Sequence, residues 1–276
     1  MAAVARARIL PGFGLTLGCT LTYVGFFVLV PLASLLLKGL AIGPSEFWAA
    51  VTGPRALASY RVTLTSAFLA ALVNAVFGLL VAWMLVRWRF PGRRLVDALV
   101  DLPFALPAAV GGIALTAVFG PNGWVGRWTY PLGIETAYSR IGLLLAITFV
   151  GLPYVVRSVQ PVLEDLDPQI EDAAYTLGAT RWQTFAHAIL PVLMPALLSG
   201  FALALARGIG EYGAVIFISG NIPLETEVSS LVITIKLDQY DYGGAAAVAI
   251  VMLAAAFLLL LAINLLQAWS RAHQSR

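Results

Sequence analysis

Residues 245 to 269 run through alanine, leucine, isoleucine and valine without a single charged side chain. As a helix the stretch is roughly 37 Å long, enough to cross a hydrocarbon layer of about 30 Å. In a bilayer a helix satisfies its own backbone while its side chains match the solvent, so the run predicts a membrane span. Five more apolar runs are spaced along the 276-residue chain, at 13–37, 60–86, 98–119, 141–162 and 192–220. The chain is therefore expected to be all-α, a polytopic membrane protein with about six transmembrane helices in a single transmembrane domain covering 1–276.

With 60% hydrophobic and 11% charged residues, a water-soluble fold would leave far too much apolar surface uncovered. A separate catalytic module has no room. The first run follows Arg6 and Arg8 but is longer than a signal-peptide core, so it is expected to stay as an uncleaved span. Cys19 is the only cysteine and has no partner in the chain, and His187 and His273 are too far apart to suggest a metal cluster. The net charge of +3 does not point to nucleic acid here, because the arginines flank the spans.

Those arginines predict the orientation. Arg6, Arg8, Arg87, Arg89, Arg93, Arg94, Arg157, Arg181, Arg271 and Arg276 gather on one side of a six-span arrangement, against Lys38, Arg55, Arg61, Arg127, Arg140 and Lys236 on the other. The positive-inside rule puts the first set, and both termini, in the cytoplasm. The third run carries Asp101, Pro103, Pro107 and the pair Gly111-Gly112. Its freed carbonyls need neighbouring helices or a wet cavity, so it is expected to bend and to pack inside the bundle.

One long segment is polar. From Glu164 to Pro191 the chain reads EDLDPQIEDAAYTLGATRWQTFAHAILP. Asp167 and Pro168 suit a helix start. Ile170, Ala173, Ala174 and Leu177 recur at three- and four-residue spacing, and Gly178 follows where a helix reverses. A short helix, a glycine turn and a second amphipathic helix are predicted on the cytoplasmic side, forming a lever suited to being held by another protein. In the fifth run Arg207 and Glu211 are four apart, on one helix face and able to pair. Midway along an apolar span they must face protein or water. Gly208, Gly210 and Gly213 around them would admit a helix or a solute close to the backbone. Two roles for Arg207 remain open, attracting an anion along a pathway or neutralising Glu211, and the spacing favours the pairing.

The polar segment resembles the signature loop of ABC-importer permeases, Glu-Ala-Ala, three residues, Gly, nine residues, Ile, any residue, Leu-Pro. Asp172-Ala173-Ala174, Gly178 and Leu190-Pro191 match its spacing, with Asp172 in place of the glutamate and Ala188 in place of the isoleucine. From about residue 59 to 268 the chain resembles type I ABC-importer permeases. Three stretches, DLPFALPAAVGGIAL, EDAAYTLGAT and ARGIGEYGAVIFISGNIPLETEV, are similar to the sulfate/thiosulfate permeases of the CysT type. The resemblance implies a permease subunit for sulfate or thiosulfate in the inner membrane, with Glu171, Asp172, Ala173, Ala174, Leu177 and Gly178 in ATPase coupling. It assigns Arg207, Gly210, Glu211 and Gly213 to the pathway or gate.

It also implies partners: a second, homologous permease, two copies of a cytoplasmic ATPase that hold ATP and magnesium, an extracytoplasmic sulfate-binding protein, and membrane lipid. No GxxxxGK[ST] loop occurs in the chain, so the energy source must be that separate ATPase. Molybdate permeases share the core at Gly210 to Ala214, which leaves molybdate or another oxyanion as an alternative. An ATP-independent secondary transporter or channel would predict matching halves, and residues 1–138 do not match the rest. A membrane hydrolase would need a nucleophile beside a base, and Ser199 has no such partner in the sequence pattern.

Overall fold

The computed structural model describes residues 13–274, with side chains as far as 265 and at Gln267. Arg6, Arg8, Arg276 and the side chain of Arg271, which entered the charge asymmetry, lie outside the described residues, as does the side chain of His273. In chain order the helices are α1 Phe13–Ala41, α2 Pro44–Thr52, α3 Pro54–Arg87, α4 Arg93–Val100, α5 Leu102–Ala105 and α6 Ala108–Phe119. There follow α7 Arg140–Glu164, α8 Pro168–Thr176, α9 Arg181–Ile209, α10 Ser229–Asp238 and α11 Tyr242–Gln274. Among the described residues, α1, α3, α7, α9 and α11 are the five helices long and apolar enough to cross a membrane.

The third expected span is broken rather than bent. The chain passes from α4 through the single-turn α5 to α6, with Leu106 (φ −86°, ψ 138°) and Pro107 extended between them. Pro107 has no amide hydrogen and pushes the residue before it out of helical space, so two short helices replace one long one. The fifth run differs too. α9 ends at Ile209, and the chain turns through Gly210 to Ala214 before a single helical turn at Val215–Ile218. Three expected loops contain helix: α2 lies within 38–59, a single turn at Gly126–Thr129 within 120–140, and α10 within 221–244.

The centre of the molecule is a three-helix contact of α3, α7 and α9. In hydrocarbon, apolar burial does not drive helices together, so small residues that let backbones approach do the work. On α3 the buried face is Ala67, Ala71, Asn74, Gly78 and Ala82; on α9 it is Gly200, Ala204 and Gly208, one turn apart. A Cβ built on Gly78 would lie 2.8 Å from Val155 Cβ, and one on Gly200 would lie 2.8 Å from Val155 Cα. One on Gly208 would meet Ile147 Cγ2 at 2.7 Å. The second half of α1 packs along α11, while its first half is exposed.

Buried polar pairs close the end of the bundle where α3 and α7 begin. Glu227, only 2% exposed, accepts two hydrogen bonds from Arg55, at 2.7 Å from Nε and 2.6 Å from Nη2. The backbone N–H of Ser229 donates to Thr63 Oγ1 at 2.8 Å, and Thr63 Oγ1 donates to Ser229 Oγ at 3.1 Å. These contacts weld α10 to α3. At the start of α11, Lys236 and the backbone N–H of Gly244 both hydrogen-bond Asp241 and hold its carboxyl below the usual range.

Gly200→Val is expected to overpack the contact with Val155 and to cost about 1–3 kcal/mol, read as a lower midpoint in detergent unfolding. Gly18→Ala, with nothing within 4 Å of the added carbon, is the control and leaves that midpoint in place.

Candidate functional site

The segment between α7 and α9 is held by caps at every bend. Asp167 Oδ1 accepts the N–H of Gln169 at 2.9 Å, and Pro168 occupies the first turn of α8. At the other end the N–H of Gly178 reaches the carbonyl of Tyr175 at 2.9 Å, and that of Ala179 reaches Ala174 at 3.0 Å. This paired pattern needs a left-handed residue, and Gly178 has φ 81°. Thr180 and Gln183 then form a reciprocal capping box at the start of α9. Two helix ends and a reversal occupy a few residues, each closed by specific hydrogen bonds.

The nine-residue α8 has two unlike faces. Gln169, Asp172, Ala173 and Thr176 are exposed on one side and Leu177 continues that face at 88% exposure, whereas Glu171 and Ala174 turn partly inward. Glu171 forms an ion pair with Arg87 at the end of α3. The Arg87 guanidinium also lies over the Trp83 ring, 5.4 Å from its centroid. Trp83 meets Phe185 edge-on at 5.4 Å, and Phe185 stacks on Trp182 at 5.6 Å. Of the six residues expected in coupling, Asp172, Ala173, Leu177 and Gly178 are exposed, Glu171 anchors the helix, and Ala174 packs beneath it.

A second charged cluster lies at the same end of the bundle. Arg157 of α7 holds Asp101 through Nε at 2.8 Å and Nη2 at 2.6 Å, and Asp97 Oδ1 through Nη1 at 2.6 Å. It thereby ties α4 and the α4–α5 junction to α7. Sequence reasoning missed this cluster, because residues 97, 101 and 157 are brought together only by the fold. The doubled Asp97 and Asp101, one helical turn apart, were the available signal.

The residues expected in the pathway or gate sit at or just past the end of α9 rather than midway along a span. Arg207 Nη1 is 2.5 Å from Glu211 Oε2. Glu211 lies past the last helical residue and is 2% exposed. Its other oxygen accepts the N–H of Ala214 at 2.8 Å, and its backbone carbonyl accepts the Ser230 hydroxyl at 2.9 Å. The carboxylate thus pins the turn after α9 from inside. Arg207, a third exposed, also lines a cavity of about 220 Å³ with Pro103, Phe104, Pro107, Phe149 and Tyr154. Gly213 lies close against the start of α6, where an added Cβ would be 2.8 Å from Ala108 Cβ. Gly210 faces open space, its nearest neighbour 4.0 Å from such a carbon, so no other segment of the chain packs against it.

Residues 74–274 match the family described as binding-protein-dependent transport system inner membrane component. The sulfate transport system permease protein CysT of Escherichia coli (strain K12) is 51% identical over 97% of this chain and 96% of its own length. The protein of the same description from Synechocystis sp. is 46% identical over 91% of this chain and 88% of its own. In fold, the chain is similar to a bacterial ABC transporter involved in the import of the acidic polysaccharide alginate, with a TM-score of 0.76 at 18% identity over 92% of this chain and 94% of that one. The chain belongs to the binding-protein-dependent transport system inner membrane components, as a multi-pass ABC permease of the CysT type.

Proposed function

We propose that this permease carries sulfate or thiosulfate into the cytoplasm as one half of a membrane pathway driven by a separate ATPase. The observation that carries the reading is the exposed, doubly capped face of α8, Gln169, Asp172, Ala173, Thr176 and Leu177. Each of two ATPase copies holds one such helix in a surface groove, one on this chain and one on a second, homologous permease. ATP and magnesium reside on those subunits and supply the driving energy there. Closure of the ATPase pair moves α8, and the caps at Asp167 and Gly178 pass the motion to α7 and α9 without a slack joint. An extracytoplasmic binding protein delivers the anion at the opposite end, so the 164–191 segment and both termini face the cytoplasm.

The turn from Gly210 to Gly213 is the gate. It is pinned by Glu211, packed on α6 through Gly213, and set beside the cavity that Arg207 lines. A transit route needs shallow binding, because a deep well would slow release. An arginine already engaged with a carboxylate meets that requirement, since its pull on a passing anion is partly cancelled.

Leu177→Asp is expected to cost roughly 2 kcal/mol of ATPase docking, about thirtyfold in affinity, with membrane insertion retained. Association of the purified permease with the ATPase and uptake of labelled sulfate, thiosulfate and molybdate in proteoliposomes check both coupling and substrate. Undiminished sulfate uptake would remove α8 from the coupling route. Arg207→Ala leaves Glu211 buried without its cation and is expected to cost about 3 kcal/mol of stability. The neutral pair Arg207→Gln with Glu211→Gln is expected to restore folding, and with it sulfate uptake to within about threefold of the parent, as a structural pairing requires. Detergent unfolding and uptake measured side by side separate the two effects.

A further inference from the structure

α10 and α11 are joined by residues 239–241 and pack against each other along a seam. Two cavities follow it. One, about 290 Å³, opens at the end of the bundle away from α8, between Leu35 and Lys38 of α1, Leu237 of α10, and Tyr242 and Ala245 of α11. The other, about 260 Å³, lies deeper, between Ile209 and Gly210, Ser230 of α10, and Met252 and Ala256 of α11. Ile233 and Ala249 line both, so the cavities meet. On α11, Tyr242, Ala245, Ala249, Met252 and Ala256 recur at three- and four-residue spacing on one helix face, a furrow roughly 21 Å long. We propose that the furrow binds one anionic phospholipid, with the phosphate at Lys38 and one acyl tail lying inward as far as Gly210. That the tail ends against a gate rests on the importer reading above.

Hydrocarbon fits the walls. Ala245, Ala249 and Ala256 make a smooth floor, with Ile233, Leu237 and Met252 beside it. The hydroxyls at the inner end are spent within the protein: Ser230 Oγ donates to the carbonyl of Glu211 at 2.9 Å, and Ser229 Oγ accepts from Thr63 Oγ1 at 3.1 Å. Water entering there would find too few partners to stay, whereas a methylene chain needs none. The furrow is long enough to take a tail through one leaflet, about 15 Å of hydrocarbon. Gly210, against which no other segment of the chain packs, gains contact from the end of the tail.

The mouth carries the charge. Gly39 is buried against Ala246 and Ile250, which fixes Lys38, one residue before it, at the rim. The Lys38 ammonium lies over the Tyr242 ring, 5.4 Å from its centroid. The neighbouring carboxylate of Asp241 is engaged by Lys236 at 2.8 Å and by the N–H of Gly244 at 2.8 Å. Among the described residues no acidic side chain lines either cavity. An ammonium at a span's end above an apolar furrow matches a phosphate joined to an acyl tail. A helix of a partner subunit laid in the same furrow would cover that ammonium without supplying a counter-charge, whereas a lipid brings its own.

The site is tested with p-benzoylphenylalanine, a photocrosslinker that inserts into C–H bonds, placed at Leu237 near the mouth or at Leu253 in the inner cavity, both open to the surface. Leu258, exposed on the opposite face of α11, is the control. Each variant is assembled with its partner subunits in nanodiscs holding a minority of phosphatidylglycerol in phosphatidylcholine. After illumination its lipid adducts are identified by mass spectrometry. At Leu237 and Leu253 phosphatidylglycerol adducts are expected to be enriched about fivefold over the bilayer composition, and at Leu258 to follow that composition. The enrichment is expected to vanish in Lys38→Gln and to survive Lys38→Arg.

No enrichment, or enrichment that Lys38→Gln leaves in place, overturns the proposal. Enrichment at Leu237 alone overturns it too, because the tail then stops short of Gly210. Adducts with a partner polypeptide in place of lipid also overturn it and give the furrow to a subunit. Should the Leu253 variant fail to assemble, Met252 takes its place with the same outcomes. Selective adducts in a parent complex that does not take up sulfate would keep the site and remove the importer reading. Sulfate uptake without selective adducts would do the reverse.

Discussion

The structure depends on how closely α3, α7 and α9 approach one another. Lipid tails are as apolar as leucine, so no hydrophobic term favours helix on helix over helix on lipid. What remains is dispersion between well-matched surfaces, and that needs short distances. Gly78, Gly200 and Gly208 supply them by removing the one carbon that would hold the backbones apart. Valines and leucines of α7 and α9 then fill the groove, with Val155, Val156, Val159 and Leu205 almost fully buried. Because the fit is made of backbone against side chain, it has little tolerance for sliding. The three helices are expected to move together when any one is displaced.

Charge is distributed around this rigid centre rather than through it. Where α3 ends, Arg87 and Arg157 fasten α8, α4 and the broken span to the bundle. Where α3 begins, Arg55 and Glu227 fasten α10. Pairs as exposed as those of Arg157 add little net stability because solvent screens them, whereas Glu227 without Arg55 would be a costly unmatched charge in a buried place. Such pairs act as positional locks. They fix which surfaces can separate and leave the rest to packing.

Much of this was legible in the chain. Long uncharged runs reveal spans by length alone, and Asp167, Pro168 and Gly178 announce helix ends because their preferences are local. The pairing of Arg207 with Glu211 followed from four-residue spacing and survives, although the helix ends between them. Other features depend on distant partners. Arg87 and Arg157 read only as markers of orientation, since nothing in a linear pattern connects 87 with 171 or 157 with 97 and 101. Prolines in the third run signalled a bend, yet whether a helix bends or breaks depends on what can cap the freed groups. Here the extended pair Leu106-Pro107 divides it. α10 went unread because its apolar residues lie between polar loops and are too few to form a span.

The same facts limit how a push on α8 can be relayed. The link from α8 to α9 is only Leu177 to Thr180, reversed at Gly178 (φ 81°), and the ion pair from Glu171 to Arg87 adds a second connection, to α3. On the proposed coupling, a force on α8 would load α3 and α9 together, and through Gly78, Gly200 and Val155 it would load α7 as well. The breaks in the helices are elsewhere, in the extended link at Leu106-Pro107 and the turn at 210–214, which meet where Gly213 packs on Ala108. Continuous helices on one side meet broken segments on the other, with the Arg207 cavity beside the junction. On the proposed reading, rearrangement at that junction would change the cavity while the three-helix centre stays intact, so gating would not require the small-residue contacts to separate.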